Sequence, residues 1–265
     1  MYWPLMNDAM LFIDKLKLVW FILTTDRFTN GVKVKEFENK WSEWLGCKYS
    51  LFVSSGSTAN FLLVSAIIEK YNLKRGDKVI VPACTWVTNV SPIIQLGLEP
   101  IFCDVDLNNY SFNTKHFKKI INKHNIKLVF VTHLLGIPAN METYKSIAPD
   151  SIFIEDCCES HGAEHNSKKV GTLSDGSTFS FYFGHHMTTI EGGMVSTDDE
   201  DLYHIMRTKR SHGMARELPE DIFKSYTKKY PNIDKNRYKY RCKQKIDKNR
   251  KKIDKNRLRL LDVNR

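Results

Sequence analysis

Apolar residues over the first 225 positions follow two alternating spacings. Short runs rich in β-branched and aromatic residues predict strands, and longer segments with apolar residues three or four positions apart predict helices. The predicted strands span residues 49–53, 78–81, 100–104, 127–132, 151–155, 178–182 and 193–197. The predicted helices span residues 58–71, 87–95, 114–123 and 141–147. This alternation predicts an α/β fold with a mainly parallel, seven-stranded sheet between helices.

Both ends of the chain depart from this alternation. Residues 10–23 are strongly apolar but are interrupted by Asp14, Lys15 and Lys17, and no small-residue cleavage site follows them. They predict a packed helix, and neither a membrane span nor a secretory signal. Residues 226–265 repeat the motif IDKNR three times and contain few large apolar residues. We therefore expect a folded body over residues 1–225 and a disordered or weakly helical tail.

The net charge of +10 is concentrated in this tail. Residues 226–265 carry sixteen basic and four acidic side chains, a net charge of +12, which leaves −2 for residues 1–225. The nearly neutral body lacks the electrostatic footprint of a nucleic-acid-binding protein, so we expect no nucleic-acid partner. A fragment that binds nucleic acid through its basic tail stays open as an alternative.

The six cysteines lack the spacing of a disulfide framework or of a metal site. They are Cys47, Cys84, Cys103, Cys157, Cys158 and Cys242. Their arrangement predicts buried free thiols in a reducing compartment, and therefore a cytoplasmic protein.

Two segments place candidate binding groups where predicted strands end. Residues 54–60, SSGSTAN, put glycine and small hydroxyl residues before a helix whose free N–H groups can bind phosphate. Ordinary helix capping is the alternative. Residues 81–89, VPACTWVTN, place Trp86 at the edge of the sheet where ligands of α/β proteins gather. Packing of the indole in the core or at its rim is the alternative.

Two further segments carry acidic residues and histidines. Residues 153–163, FIEDCCESHGA, place Asp156 after a buried strand, where it could bind a protonated pyridine nitrogen or cap a helix. Residues 178–197, TFSFYFGHHMTTIEGGMVST, join two strands through His185 and His186. Two adjacent histidines could include a metal ligand, but no third ligand stands at useful spacing, so we expect no metal site.

Taken in order, the four segments resemble the DegT/DnrJ/EryC1/StrS family of sugar-modifying enzymes over roughly residues 28–219. The resemblance implies the large domain of a fold-type I enzyme that depends on pyridoxal 5'-phosphate and forms a homodimer. It implies phosphate contacts from Gly56, Ser57 and Ser180. It also implies that Trp86 stacks on the ring, Asp156 meets the pyridine nitrogen and Glu159 lies near the ring oxygen.

In this family the last segment carries the lysine that binds the cofactor covalently, and the TTxEGG block aligns that lysine with His185. Because imidazole forms no stable Schiff base, the resemblance implies a noncovalent cofactor that favours its amine form, pyridoxamine 5'-phosphate. The histidine version resembles the GDP-4-keto-6-deoxymannose 3-dehydratase branch, in which the histidine is the base. A related CDP-sugar branch adds an iron–sulfur cluster, for which the sequence offers no convincing cysteine set.

The resemblance therefore implies a nucleotide-sugar 3-dehydratase of deoxysugar and O-antigen biosynthesis. His185 would start the loss of the C3 hydroxyl from a 4-keto-6-deoxy sugar nucleotide, and glutamate would be the amino donor that regenerates the cofactor. Arg216 is a further expected contact for a substrate carboxylate or phosphate. A nucleotide-sugar aminotransferase, whose cycle needs the missing lysine, and an inactive fragment are the alternatives. Family members continue beyond the position of Pro219 with a small αβ domain, so we expect a member truncated at its C-terminus.

Overall fold

A computed structural model gives the fold and describes residues 10–214 and 218–229. Arg216, Cys242 and the three IDKNR repeats lie outside the described residues. The chain divides into two compact units, residues 1–212 and 213–265. The predicted boundary after residue 225 falls within the last described helix, and the division into a body and a tail stays a prediction.

The larger unit is built on a seven-stranded sheet with a second ladder of two short strands. The strands are β1 (Tyr49–Val53), β2 (Lys78–Pro82), β3 (Glu99–Cys103), β4 (Ile126–Thr132), β5 (Ile152–Asp156), β6 (Glu164–His165), β7 (Lys168–Lys169), β8 (Gly176–Ser180) and β9 (Gly193–Thr197). The order in the large sheet is β1-β9-β8-β5-β4-β2-β3. In this sheet β9 runs antiparallel to its neighbours β1 and β8, and the other strand pairs are parallel. Six strands therefore end at one edge of the sheet, where β9 begins.

The larger unit contains seven α-helices among the described residues, several of which cover the sheet and connect its strands. They are α1 (Phe12–Thr24), α2 (Val32–Leu45), α3 (Gly56–Tyr71), α4 (Ser91–Gln95), α5 (Thr114–Lys123), α6 (Met141–Ile147) and α7 (Glu200–Arg210). Short 3-10 helices span Val87–Asn89 and Leu134–Gly136. The smaller unit contains α8 (Glu220–Lys229).

Both faces of the sheet are buried, as the near-continuous apolar runs of a parallel sheet require. In β2, Val79 and Val81 belong to the apolar cluster that includes residues of α3 and α7, whereas Ile80 belongs to the cluster of α5 and α6. A third cluster packs Trp41 of α2 against Phe179. The helices on both faces thus hold the strand ends in fixed relative positions.

Most predicted elements form with shifts of one or two residues at their ends, and β1, β9, α5 and α6 have the predicted bounds. The helix predicted over residues 87–95 is instead divided into a 3-10 helix and α4, where Pro92 stands in the first turn. Proline lacks the N–H that a continuous helix would need. The predictions missed α2, α7, α8 and the short strands β6 and β7.

The helix predicted near the N-terminus forms as α1, but the expectation that it is packed is wrong. None of its residues is buried, and Phe12, Trp20 and Leu23 are 74%, 69% and 76% exposed. Apolar spacing predicts a helix but does not supply a surface that covers it. Among the described residues, no helix combines the length and hydropathy that crossing a membrane requires.

The five described cysteines are free thiols, as predicted. Cys103 and Cys157 are buried, and Cys47 and Cys158 are partly buried. The expectation of burial is wrong for Cys84, which is exposed. It lies in the bend that follows β2, at the edge where the parallel strands end.

Candidate active site

The four segments identified from the sequence meet where the parallel strands end. β1 leads into α3 at Gly56, and β2 leads into the turn that contains Trp86. β5 ends at Asp156, and β8 ends at Ser180 next to the loop that carries His185. The parallel register of β5 with β8 brings the last two segments side by side. Ligands of α/β proteins bind at this edge of the sheet.

The Asp156 carboxylate lies at the centre of this edge and is only 4% exposed. Its Oδ2 accepts hydrogen bonds from the side-chain amides of Asn60 and Asn89, each at 2.8 Å. Its Oδ1 accepts a bond from the backbone N–H of Cys158 at 2.9 Å. Asp156 therefore caps no helix, contrary to the alternative considered for it. Three donors instead hold a buried carboxylate in one orientation.

The two amides are themselves fixed by hydroxyl groups. Thr178 Oγ1 donates to Asn60 Oδ1 at 2.6 Å, and Thr85 Oγ1 donates to Asn89 Oδ1 at 3.0 Å. These bonds identify the amide nitrogens as the atoms that face Asp156. Sequence reasoning missed both asparagines. The available signal was an amide at position 60 within the apolar pattern of a predicted helix.

The first turn of α3 lies against the end of β8. Ser55 caps the helix by accepting the Thr58 N–H at 3.1 Å, so the capping alternative holds for this residue. A Cβ at Gly56 would lie 2.8 Å from both Cys158 Sγ and Ser180 Cβ. Glycine therefore allows the start of a 16-residue helix to approach the Ser180 hydroxyl closely. A helix N-terminus beside a hydroxyl group is a site for a phosphate group.

His185 lies in the loop between β8 and β9 and is partly buried. Its Nδ1 is hydrogen-bonded to the carbonyl oxygen of Cys158. Because a carbonyl only accepts, Nδ1 carries the hydrogen, and Nε2 of the neutral ring is left with a free lone pair. The loop is held by Thr188 Oγ1 and the Thr189 N–H, which both donate to Phe181 O at 3.1 Å. The imidazole is thus held in one orientation by the Cys158 carbonyl and by the bonds within its loop.

The second histidine of the pair has different surroundings. His186 is exposed, and its ring lies 5.6 Å from that of His161. His161 packs against Trp41 and Phe181. Burial, followed by the nearby His186 and His185, lowers the pKa of His161 to about 3. His161 is therefore neutral near pH 7 and adds no charge beside the pair.

The remaining candidates surround this centre. Trp86 is 68% exposed, which excludes the core-packing alternative, and its carbonyl accepts the N–H of Asn89 at 3.0 Å. Glu159 is partly buried in the turn after β5. Burial, and then the adjacent Asp156, hold the pKa of the Cys158 thiol well above its usual value. Cys158 is therefore a neutral thiol and not a nucleophile near pH 7. The candidate Arg216 lies outside the described residues.

A second buried polar cluster contains Glu155 and His133, both 0% exposed. His133 Nε2 lies 2.8 Å from Glu155 Oε2, and its Nδ1 accepts the Ala139 N–H. Burial raises the pKa of Glu155, but hydrogen bonds from His133 and from the Gly171 N–H outweigh it, so this pKa lies below its usual value. Cys157 completes a set of atoms that could ligate a metal. Because His133 and the Glu155 carboxylate already form a hydrogen bond with each other, the cluster is better explained as a structural pair than as a metal site.

These groups fit a pyridine ring that carries a phosphate group. Asp156 Oδ1 accepts one N–H hydrogen bond from the described residues, and a ring N–H is a stronger donor to it than the neighbouring Cys158 thiol. The start of α3 with Ser180 suits the phosphate, and Trp86 is free to stack on a ring. The sequence contains no lysine between Ser180 and Gly192 that could bind such a group covalently.

The sequence matches the DegT/DnrJ/EryC1/StrS aminotransferase family over residues 13–241. The chain belongs to this family. It is 42% identical over 210 residues to the GDP-4-keto-6-deoxy-D-mannose 3-dehydratase of Yersinia pseudotuberculosis, an alignment that covers 78% of this chain and 53% of the relative. The chain spans about half the length of the curated relatives it matches.

Two solved structures of related dehydratases have the same fold. The Escherichia coli GDP-4-keto-6-deoxy-D-mannose 3-dehydratase with bound hydrated PLP is 38% identical, with a TM-score of 0.78. A GDP-4-keto-6-deoxymannose 3-dehydratase with a trapped PLP-glutamate geminal diamine has the same TM-score and identity. In both, the likeness covers 83% of this chain and 57% of the relative. The predicted fold class, the large domain of a PLP-dependent fold-type I enzyme, is confirmed.

Proposed function

We propose that this chain is the cofactor-binding part of a nucleotide-sugar 3-dehydratase that uses pyridoxamine 5'-phosphate. The observation that carries the proposal is His185, which stands at the family's lysine position and donates its Nδ1 hydrogen to the Cys158 carbonyl. A lysine at this position would support transamination, because it binds the cofactor covalently. An oriented neutral imidazole instead supports proton removal.

Different residues bind the phosphate, the ring, the ring oxygen and the ring nitrogen of the cofactor. The N–H groups of Gly56 and Ser57 with the Ser180 hydroxyl bind the phosphate. Trp86 stacks on the ring, Glu159 lies near its oxygen, and Asp156 binds the pyridine nitrogen. When bound, the cofactor supplies an amine for the C4 ketone of the sugar and a ring that absorbs electrons.

His185 moves the proton. Its Nε2 removes a proton from the methylene group of the cofactor, and the resulting imidazolium is held by the Cys158 carbonyl. The same ring then protonates the C3 hydroxyl as it leaves. Imidazole suits both steps because it accepts and releases a proton near neutral pH.

The partners of the reaction are proposed from the solved and curated relatives. Those relatives act on a GDP-linked 4-keto-6-deoxy sugar, and one contains a PLP-glutamate adduct. We assign the same class of sugar nucleotide and glutamate as amino donor to this chain. A homodimer and a substrate contact from Arg216 complete the proposal.

The test is to incubate the full chain with pyridoxamine phosphate, glutamate and GDP-4-keto-6-deoxymannose, and to follow the sugar by NMR. The expected result is loss of the C3 hydroxyl with release of ammonia. An aminated sugar that keeps its C3 hydroxyl would instead identify an aminotransferase. No turnover, together with no binding of pyridoxamine phosphate, would overturn the proposal and favour an inactive fragment.

A further inference from the structure

Counting N–H and O–H donors, the hydrogen bonds around Asp156 leave one acceptor position unfilled in the described part of the chain; the Cys158 thiol, a weak donor, also contacts this carboxylate. A carboxylate offers about four acceptor positions, two on each oxygen. Both positions on Oδ2 are filled by the amides of Asn60 and Asn89. On Oδ1, the Cys158 N–H fills one position. The remaining position is therefore on Oδ1.

The two amides reach Asp156 from different elements of the fold. Asn60 lies in α3, and Asn89 ends the 3-10 helix after β2. Both side chains are 0% exposed. Because each amide oxygen is held by a threonine hydroxyl, neither amide can turn its nitrogen away without losing a second hydrogen bond. The carboxylate is thus clamped at Oδ2 from two sides.

The clamp also limits the hydrogen bonds that Oδ2 can make. An amide N–H donates but cannot accept, so both amides use acceptor positions of Oδ2. A carboxylate oxygen that accepts the ring N–H favours the protonated ring.

We propose that Asn60 and Asn89 are positioning residues for Asp156. By filling Oδ2 they leave Oδ1 of a charged carboxylate as the acceptor for the cofactor's ring N–H. This inference rests on the proposed function, because it assigns the ring nitrogen to Asp156. It adds two residues to the cofactor site that touch Asp156 and not the cofactor.

The test measures binding of pyridoxamine phosphate to the full chain by fluorescence titration, and ring protonation by NMR with cofactor labelled with 15N in the ring. Asn89→Leu and Asn60→Leu are each expected to weaken binding about tenfold or more, the scale of one hydrogen bond to a charged group. The ring-nitrogen resonance should move towards the unprotonated form, because a carboxylate that is no longer held in position binds the ring N–H less well.

Asn140→Leu is the matched control. Asn140 caps α6 by accepting the Thr143 N–H at 3.1 Å, and it is exposed. Its replacement removes one local hydrogen bond and should leave both the cofactor affinity and the ring-nitrogen resonance unchanged. A loss of affinity in the test variants with an unmoved ring-nitrogen resonance would indicate an effect on folding alone.

Asn89→Asp keeps the inference testable if the leucine variants do not fold. It has the shape of asparagine but puts a carboxyl group opposite Asp156, and two such groups share a proton, which raises one of their pKa values. The shared proton is bound at low pH and lost as pH rises. The pH profile of cofactor affinity in Asn89→Asp should therefore contain a titration that the unchanged chain lacks.

Two results separate failure of this inference from failure of the proposed function. If the unchanged chain does not bind pyridoxamine phosphate, the proposed function fails. If it binds, and the asparagine variants bind equally well with an unmoved resonance and no added pH dependence, the positioning role is overturned while the proposed function stands.

Discussion

The buried pair of His133 and Glu155 predicts a large and specific loss of stability on replacement of the histidine. His133→Phe removes the Nε2 donor 2.8 Å from Glu155 Oε2 and the acceptor of the Ala139 N–H. Glu155 keeps three donors, from Gly171, Leu173 and Ser174. Losing a hydrogen bond to the buried Glu155 carboxylate and leaving the Ala139 N–H unsatisfied together cost about 3–5 kcal/mol.

That loss is a large part of the free energy of unfolding of a typical domain, about 5–15 kcal/mol. At about 2–4 °C per kcal/mol for a unit of this size, Tm should fall by roughly 6–20 °C. The assay is thermal and urea unfolding of the full chain near pH 7. His116→Phe is the control, because His116 Nδ1 also accepts a backbone N–H at 3.0 Å but is partly exposed. It should cost about 1 kcal/mol.

The pH dependence gives a second readout. The folded-state pKa of Glu155 is below its ordinary value of 4.5, so its stabilising contribution is present above that value and is lost as pH falls through the folded pKa. Without His133 this pKa rises, so His133→Phe should lose stability at a higher pH than the unchanged chain. Equal losses in His133→Phe and His116→Phe, with the same pH profile, would refute the reasoning.

Two further predictions concern the cofactor. Gly56→Ala should weaken binding of pyridoxamine phosphate about tenfold or more. The new Cβ would lie 2.8 Å from Cys158 Sγ and Ser180 Cβ, so it must displace the first turn of α3. Fluorescence titration measures the affinity, and an unchanged affinity would show that α3 does not bind the phosphate. Borohydride reduction of the chain loaded with pyridoxal phosphate should attach no pyridoxyl group to a lysine of the body, and a lysine adduct found by mass spectrometry would contradict a noncovalent cofactor.

Local patterns were sufficient to predict the strands of the large sheet and several of the helices that cover it. Residues of β1 and β9 form short runs between turn residues, and α5 has strongly segregated apolar and charged positions. The order of strands and motifs then placed Asp156 and His185 at the same edge. This succeeded because parallel strands put all their carboxyl ends on one side.

Contacts between distant residues could not be predicted in this way. Asn60 and Asn89 meet Asp156 across separations of 96 and 67 residues. Nothing in the local spacing of either amide indicates that its partner is a carboxylate. The exposure of α1 was missed for a related reason, since an apolar pattern does not show which surface covers it.

Replacement of His185 tests the central claim most directly. The measurement is the rate of C3 dehydration by the full chain, or by a longer form of it, for His185→Asn and for the neighbouring control His186→Asn. His185→Asn should retain cofactor binding and lose roughly 10²-fold or more in rate, the scale of a positioned general base, whereas His186→Asn should stay close to the unchanged rate. Full dehydration by His185→Asn, with loss of activity in His186→Asn, would contradict the account and assign the base to the neighbouring histidine.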